Sequence, residues 1–229
     1  MKRPEISVVI PVLNEQDRIG GVINELRQDS SAPFDIIVID GGSTDGTVRA
    51  AEALGARVIV SNPGRGPQLA AGAAEAAGNT LWFLHVDSHV APGALDRIRA
   101  AIDEDGMIGG NFRVVFDGND GFSRWLTGFY AWFRRHGLYY GDSGIFIRRD
   151  IYDGIGGIQP MALMEDYDLT RRMEKHGATC CIDTPALITS SRKFAGRHPV
   201  SIVFGWLKIH TLYGLGVNPK RLAKIYYGR

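Results

Sequence analysis

Leu81-Trp82-Phe83-Leu84-His85-Val86-Asp87-Ser88 runs four large apolar side chains straight into a histidine and a carboxylate, with Pro92 soon after. A short apolar run with aromatic members reads as a fully buried strand, here over Leu81 to Val86. Asp87 then stands where that strand leaves the core. The carboxyl ends of strands are where open α/β sheets bind their ligands. Two other strands end the same way. Ile6 to Leu13 is a buried strand closing in Pro11-Val12-Leu13-Asn14-Glu15, and Phe34 to Ile39 is a second, closing in Asp40. In a parallel sheet Glu15, Asp40 and Asp87 fall on one edge.

Between these strands lie helices. Ile19, Val22, Ile23 and Leu26 recur at helical spacing, and Gly41 to Gly46 is a turn opening a helix to about Leu54. Arg57 to Val60 is a third strand, followed by the loop Asn62-Pro63-Gly64-Arg65-Gly66-Pro67. Pro67 suits the first turn of an Ala-rich helix to Ala77. Four alternations of strand and helix predict a mostly parallel sheet covered on both faces. After Asp103 the rhythm changes. Met107 to Phe116 reads as an antiparallel strand and Phe122 to Arg135 as an aromatic-rich helix. Gly141-Asp142-Ser143-Gly144 leads into Ile145-Phe146-Ile147, and Glu165-Asp166 opens a helix to His176. Two short strands follow, near Thr179 to Asp183 and Ala186 to Ser190. The expected fold class is α/β, with a Rossmann-like nucleotide-binding half and a mixed acceptor half in one domain over 1–191. A basic, partly helical extension occupies 192–229.

The chain has 229 residues, 45% of them hydrophobic, enough for one sizeable core. Its net charge of +1 is unevenly spread. Residues 192–229 hold eight Lys or Arg and no Asp or Glu, so the first 191 carry −7, the chain's +1 less the tail's eight. Such a tail can approach anionic lipid or a phosphate-bearing substrate, or can be a helix packed on the body with its charges in water. Cys180 and Cys181 are adjacent and the only cysteines. They suit reduced residues in a strand of a cytosolic protein, and make no zinc site by themselves. Met1-Lys2-Arg3-Pro4 shows no signal-peptide core. Val200 to Val217 is apolar but interrupted by Lys208 and His210, which suits a membrane surface better than a span.

The first strand–helix turn has no Gly-x-Gly-x-x-Gly run, and no phosphate-cradling Gly-x-x-x-x-Gly-Lys-Ser/Thr sequence occurs anywhere. Carboxylates on a sheet edge can instead bind ribose hydroxyls and base edges and hold a divalent ion between phosphates. That pattern fits a nucleotide diphosphate better than NAD. Four motifs then stand in order: Ser7-Val8-Val9-Ile10-Pro11-Val12-Leu13-Asn14-Glu15, Val38-Ile39-Asp40-Gly41-Gly42-Ser43-Thr44-Asp45-Gly46-Thr47, Phe83-Leu84-His85-Val86-Asp87, and Met164-Glu165-Asp166. Together they resemble a family 2 glycosyltransferase of the GT-A fold, over about the first 190 residues. The likeness is nearest to small bacterial members with His-x-Asp in place of Asp-x-Asp, of the arsenosugar type.

The resemblance implies an inverting, hexosyltransferase-type enzyme with a nucleotide-sugar donor, UDP-linked, and a hydroxyl acceptor that is a small molecule or lipid-linked. It implies no nucleic-acid partner. It places Pro11, Val12, Asn14, Glu15, Asp40, Arg65, His85, Val86 and Asp87 around the nucleotide. Asp87 matches the metal-binding carboxylate for Mn²⁺ or Mg²⁺, although His85 replaces the first acid and removes one negative charge. His89 is a further candidate nitrogen ligand or a plain loop residue. Asp166 matches the base that takes the acceptor's proton, with Glu165 in support. Gly141, Asp142 and Ser143 match the acceptor-side loop, and Arg192-Lys193-Phe194 the end of a motif of processive relatives whose glutamine and tryptophan are missing here.

Each residue also has a structural role open to it. Glu15, Glu165 and Asp166 are favourable charges at helix starts, Asp40 can cap a turn, and Arg65 can be a solvated loop cation. Phe122, Trp125, Phe129, Tyr130, Trp132 and Phe133 suit core or a dimer face more than a sugar or lipid platform. Two other functions remain open: a nucleotidyltransferase making a nucleotide sugar, and a binding module without turnover. The expected location is cytoplasmic, with the tail reaching the inner face of the membrane, and a homodimer is a further expectation.

Overall fold

The computed structural model describes residues 4–28, 33–191, 194 and 198–228. Strands β1 (Ile6–Val12), β2 (Phe34–Asp40), β3 (Arg57–Val60) and β4 (Thr80–Phe83) lie in the order β3-β2-β1-β4, all parallel. Nearly every residue of β1 is buried, because helices cover both faces. Helix α1 (Gln16–Gln28) turns Ile19, Val22, Ile23 and Leu26 onto one face, beside Val8, Ile10 and Val12. On the other face, Leu69 and Ala73 of α3 (Arg65–Glu75) meet Val9, Ile37 and Ile39. Gly72 makes that approach possible: a Cβ there would stand 2.4 Å from the Val9 side chain. Helix α2 (Thr47–Ala53) links β2 to β3.

The sheet continues through the second half as one eight-stranded surface. After β5 (Ser88–His89) and α4 (Ala94–Asp103) come β6 (Gly109–Phe116), α5 (Gly121–Arg135) and a single 3₁₀ turn at Gly141–Ser143. Then follow β7 (Phe146–Arg148), α6 (Arg149–Gly154), α7 (Glu165–His176) and β8 (Thr179–Thr189). The order past β4 is β7-β6-β8-β5. Strand β7 is antiparallel to both neighbours, and this is where the parallel half ends. Strand β6 is antiparallel to β7, as expected, but parallel to β8.

Three boundaries differ from the sequence reading. The strand expected to reach Val86 ends at Phe83, and Val86 and Asp87 form a turn. Helix α3 opens at Arg65, two residues before Pro67. The two short late strands are one, β8. Pro185 has no N–H for the ladder, but pairing with β6 resumes beyond it after a register shift between Phe112 and Val114. Cys180 and Cys181 sit half-buried in β8, and burial raises both thiols, Cys181 to about 11.

Helices α8 (Pro199–Gly214) and α9 (Pro219–Tyr227) pack on the acceptor half. Ile202 and Phe194 are buried with Val114, Phe116 and Leu126, while Ile209 and Leu222 are buried with Leu163 and Met164. The described lysines and arginine of these helices are exposed. Only part of the aromatic face of α5 is core: Phe122 and Tyr130 are half-buried against Phe116 and Phe194. Only Ser123 and Leu126 of α5 are buried, and Trp125 and Trp132 are 43% and 53% exposed. Phe129 stacks on Trp125 at 4.9 Å between centroids and on Trp206 of α8 at 5.9 Å.

Candidate active site

Three elements meet at the carboxyl edge of β1, β2 and β4: the turns leaving these strands, the first turn of α7, and the 3₁₀ turn before β7. The β1 and β2 turns brace each other. Asn14, held at φ 55, donates its N–H to Ser43 Oγ and accepts from Thr44 N at 2.9 Å, while Glu15 N donates to Thr47 Oγ1. Asp40 is 2% exposed, and its Oδ2 accepts from Gly42 N and Ser43 N at 2.9 Å each. Its Oδ1 is buried with no partner among the described residues, an acceptor that lacks an N–H or O–H. Asp40 therefore caps its turn with one oxygen and offers the other. Pro11 and Val12 pair with Ile39 and Asp40 across the ladder. Glu15 forms an ion pair with Arg18 at 2.6 Å, one turn into α1.

Gln68 on α3 carries no signal in the sequence beyond being a polar residue in an Ala-rich helix. It is buried, and its Nε2 donates to the carbonyls of Val12 at 2.8 Å and Ile39 at 2.7 Å. It ties α3 across the ends of two strands beside the topological switch between β1 and β4.

The catalytic candidates converge at α7. Glu165 and Asp166 are 1% and 6% exposed. Met164, just before them, is held at φ 72, a strained conformation for a side chain of its size. Asp166 Oδ2 accepts from Gly141 N at 2.8 Å and from Arg65 Nη2 at 3.2 Å, and Oδ1 accepts from its neighbour Tyr167 N at 2.7 Å. Arg65 Nε donates to Glu165 Oε1. Arg65 is thus not a solvated loop residue but the cation of a three-member cluster. Burial works against its charge, yet Asp166 and Glu165 outweigh that and hold its pKa above the usual arginine range. Burial raises the Glu165 carboxyl, with Arg65 opposing.

Gly141 brings the sites together. A Cβ on it would lie 3.0 Å from His85 Nε2 and 3.2 Å from Asp166 Oδ2. The imidazole and the carboxylate therefore flank one glycine, a juxtaposition no spacing in the sequence reveals. Asp142 is buried and accepts from the Tyr130 hydroxyl at 2.8 Å, while Ser143 Oγ turns back to the Tyr140 carbonyl at 2.6 Å. Tyr140 and His210 of α8, singled out by no motif, share a 2.9 Å hydrogen bond. Burial lowers the His210 pKa.

Asp87 sits half-buried in the turn after β4, and Val86 beside it is buried. No hydrogen bond or ion pair engages the Asp87 carboxylate among the described residues. His89 is not its companion: its Nδ1 is 2.9 Å from Glu25 of α1. No cluster of three or more His, Cys, Asp or Glu able to hold a metal occurs among the described residues. The side chains fit a divalent ion only as a single hard oxygen ligand, with a diphosphate supplying others. Arg192 and Lys193 lie outside the described residues.

A cavity of about 920 Å³ opens beside Asp166 and is lined by residues of α5, α8 and α9. Asp142 and Ser143 also line it.

The sequence model of Glycosyl transferase family 2 matches residues 7–189, and the chain belongs to that family. AglJ of Haloferax volcanii is 44% identical over 62 residues, 27% of this chain and 20% of that protein. The chain spans less than a third of the length of the curated relatives it matches. Among solved structures, mannosyltransferase PcManGT from Pyrobaculum calidifontis, in complex with GDP-Man and Mn²⁺, superposes with a TM-score of 0.70 at 16% identity. That match covers 99% of this chain and 69% of the other. Glucosyl-3-phosphoglycerate synthase from Mycobacterium tuberculosis, with Mn²⁺, UDP and glucosyl-3-phosphoglycerate, gives 0.63 at 20% identity, covering 93% and 81%. The mixed eight-stranded sheet is the GT-A fold.

Proposed function

We propose that the chain is an inverting glycosyltransferase that moves a hexose from UDP to an acceptor hydroxyl. The observation that carries this is the placement of Asp166. It is a buried carboxylate beside His85, at the mouth of a cavity, on the sheet edge that also holds Asp40 and Asp87. The Asp40 Oδ1 acceptor suits a base or ribose donor. UDP with Mn²⁺ in one solved relative, and GDP-Man with Mn²⁺ in another, support a nucleotide-sugar donor and a divalent ion.

In this reading Asp166 takes the acceptor's hydroxyl proton while the acceptor oxygen bonds the anomeric carbon. The bond from that carbon to the β-phosphate oxygen breaks, and UDP leaves with the electron pair. One base on the acceptor side gives a single displacement and hence inversion. Gly141 N and Tyr167 N hold the carboxylate in place, and Arg65 places positive charge beside the reacting centre. Glu165 orients Arg65. Asp87 would hold a divalent ion, which when bound offsets charge on the departing diphosphate.

Asp166→Asn keeps the shape and removes the base. UDP release from a UDP-hexose in the presence of acceptor should fall by about 10²–10⁴-fold with UDP affinity unchanged. Undiminished turnover in a folded variant would overturn the role.

A further inference from the structure

The cavity beside Asp166 has walls that say what kind of acceptor it takes. Its volume of about 920 Å³ is at the upper end of the roughly 300–1,000 Å³ of small-molecule sites. Aromatic rings form a large part of the lining, among them Phe129, Tyr130, Phe133, Tyr140, Phe194 and Trp206, beside arginines and aspartates. Several polar groups of the lining already have partners. Arg134 donates to Asn111 and Thr179, Asp142 accepts from Tyr130, and Tyr140 bonds His210. A sugar ring set against these engaged side chains would give up water for few new hydrogen bonds, which is unfavourable. An apolar body loses no hydrogen bond and covers ring faces.

Helix α8 forms one wall and is apolar on both sides. Trp206 and Ile209 face the cavity. On the outer side Val200, Phe204, Leu207 and Leu215 are 68%, 67%, 62% and 75% exposed. Val200, Phe204 and Leu207 follow helical spacing and form one stripe. With 16 residues α8 is short, and no helix among the described residues is long and apolar enough to cross a membrane. Charge says what covers the stripe. Lys208 of α8 and Lys220, Arg221 and Lys224 of α9 are exposed, and residues 192–229 contain no Asp or Glu. A solvent-exposed apolar stripe in a segment whose only charges are cations complements an anionic lipid surface.

We propose that the acceptor is an amphiphile. Its apolar body lies in the aromatic cavity, its hydroxyl reaches Asp166, and it is drawn from an anionic lipid surface on which the outer face of α8 rests. This rests on the transferase reading above. The shared chemistry is an apolar alcohol, whether dissolved in a bilayer or free, and the two arms of the test separate these sources.

The first arm titrates the full chain with farnesol, read by tryptophan fluorescence, and with UDP in parallel. Saturable farnesol binding is expected. Ala131→Trp, which fills the cavity wall, should weaken it by roughly tenfold or more and leave UDP affinity unchanged. The second arm sediments the protein with phosphatidylglycerol–phosphatidylcholine vesicles and with phosphatidylcholine alone. Binding is expected to the anionic vesicles only. It should be lost in Phe204→Glu/Leu207→Glu, two exposed positions, while farnesol binding persists. UDP binding without farnesol binding, or equal farnesol binding by Ala131→Trp, overturns the acceptor class and leaves the transferase standing. Vesicle binding untouched by the double variant, or absent from the wild type, overturns the lipid route. Failure to bind UDP overturns the transferase reading, and the acceptor inference falls with it.

Discussion

Glu165 and Asp166 are adjacent carboxylates at one helix start, yet the fold gives them different surroundings. Asp166 is met by two backbone N–H groups and an Arg65 nitrogen, which fix the orientation of its carboxylate. Glu165 is buried more deeply, and burial outweighs Arg65 and raises its pKa. The sign of the linkage follows. With the folded pKa above the unfolded value, ionised Glu165 costs the folded state free energy at pH above the raised value, and that cost vanishes below the unfolded pKa. Glu165→Gln should therefore raise Tm relative to wild type at pH 7, with the gain shrinking as pH falls toward 4.5. Thermal unfolding across that range checks it, and a gain that grows on acidification contradicts it. The sequence could nominate both carboxylates because Met164-Glu165-Asp166 matches a motif. It could not show Arg65 between them, a contact spanning 100 residues.

At the scale of elements, the first four strands and their helices were legible because burial on both faces makes β1 and β2 continuous apolar runs. The boundaries were not. The apolar run through Leu84 hides the end of β4 at Phe83, since Leu84 is just as buried outside the ladder as in it. Pro185 read as a break because periodicity cannot show a partner strand resuming beyond it. The α5 aromatics read as one core face, but Phe129, Tyr130 and Phe133 line the cavity and Trp125 and Trp132 are exposed. Gln68 was illegible for a related reason: its partners are carbonyls, which leave no mark in a sequence. Gln68→Ala strips two buried acceptors at the ends of β1 and β2, and should cost about 1–3 kcal/mol in denaturant unfolding. It should also weaken UDP binding, because those strand ends carry the Asn14 and Asp40 turns. A neutral effect on both would remove Gln68 from the site.

In the whole molecule, the proposed donor edge and the proposed acceptor cavity belong to different halves of one sheet, joined where β7 reverses direction. The C-terminal helices close the second half. Composition suggested an appended tail after residue 191, because charge is what the sequence displays there. Packing shows Phe194, Ile202, Ile209 and Leu222 buried against the body. Burial of each such side chain contributes about 1.5–3 kcal/mol, so together they approach the roughly 5–15 kcal/mol that holds a domain folded. Truncation after Ser191 should thus yield aggregated or unfolded protein, as judged by gel filtration and circular dichroism. A cooperative, monomeric truncate would show that the first 191 residues stand alone.

The central claim is that the carboxyl edge of the parallel strands holds a uridine nucleotide through Asp40. The direct test is a calorimetric titration with UDP and Mn²⁺ of the wild type, Asp40→Asn and Asp166→Asn. Asparagine can still accept from Gly42 N and Ser43 N, but presents a donor where Oδ1 offered an acceptor. Wild type and Asp166→Asn should bind UDP alike, and Asp40→Asn should fold but bind about tenfold or more weakly. No UDP binding by the wild type, or full affinity in Asp40→Asn, would contradict it.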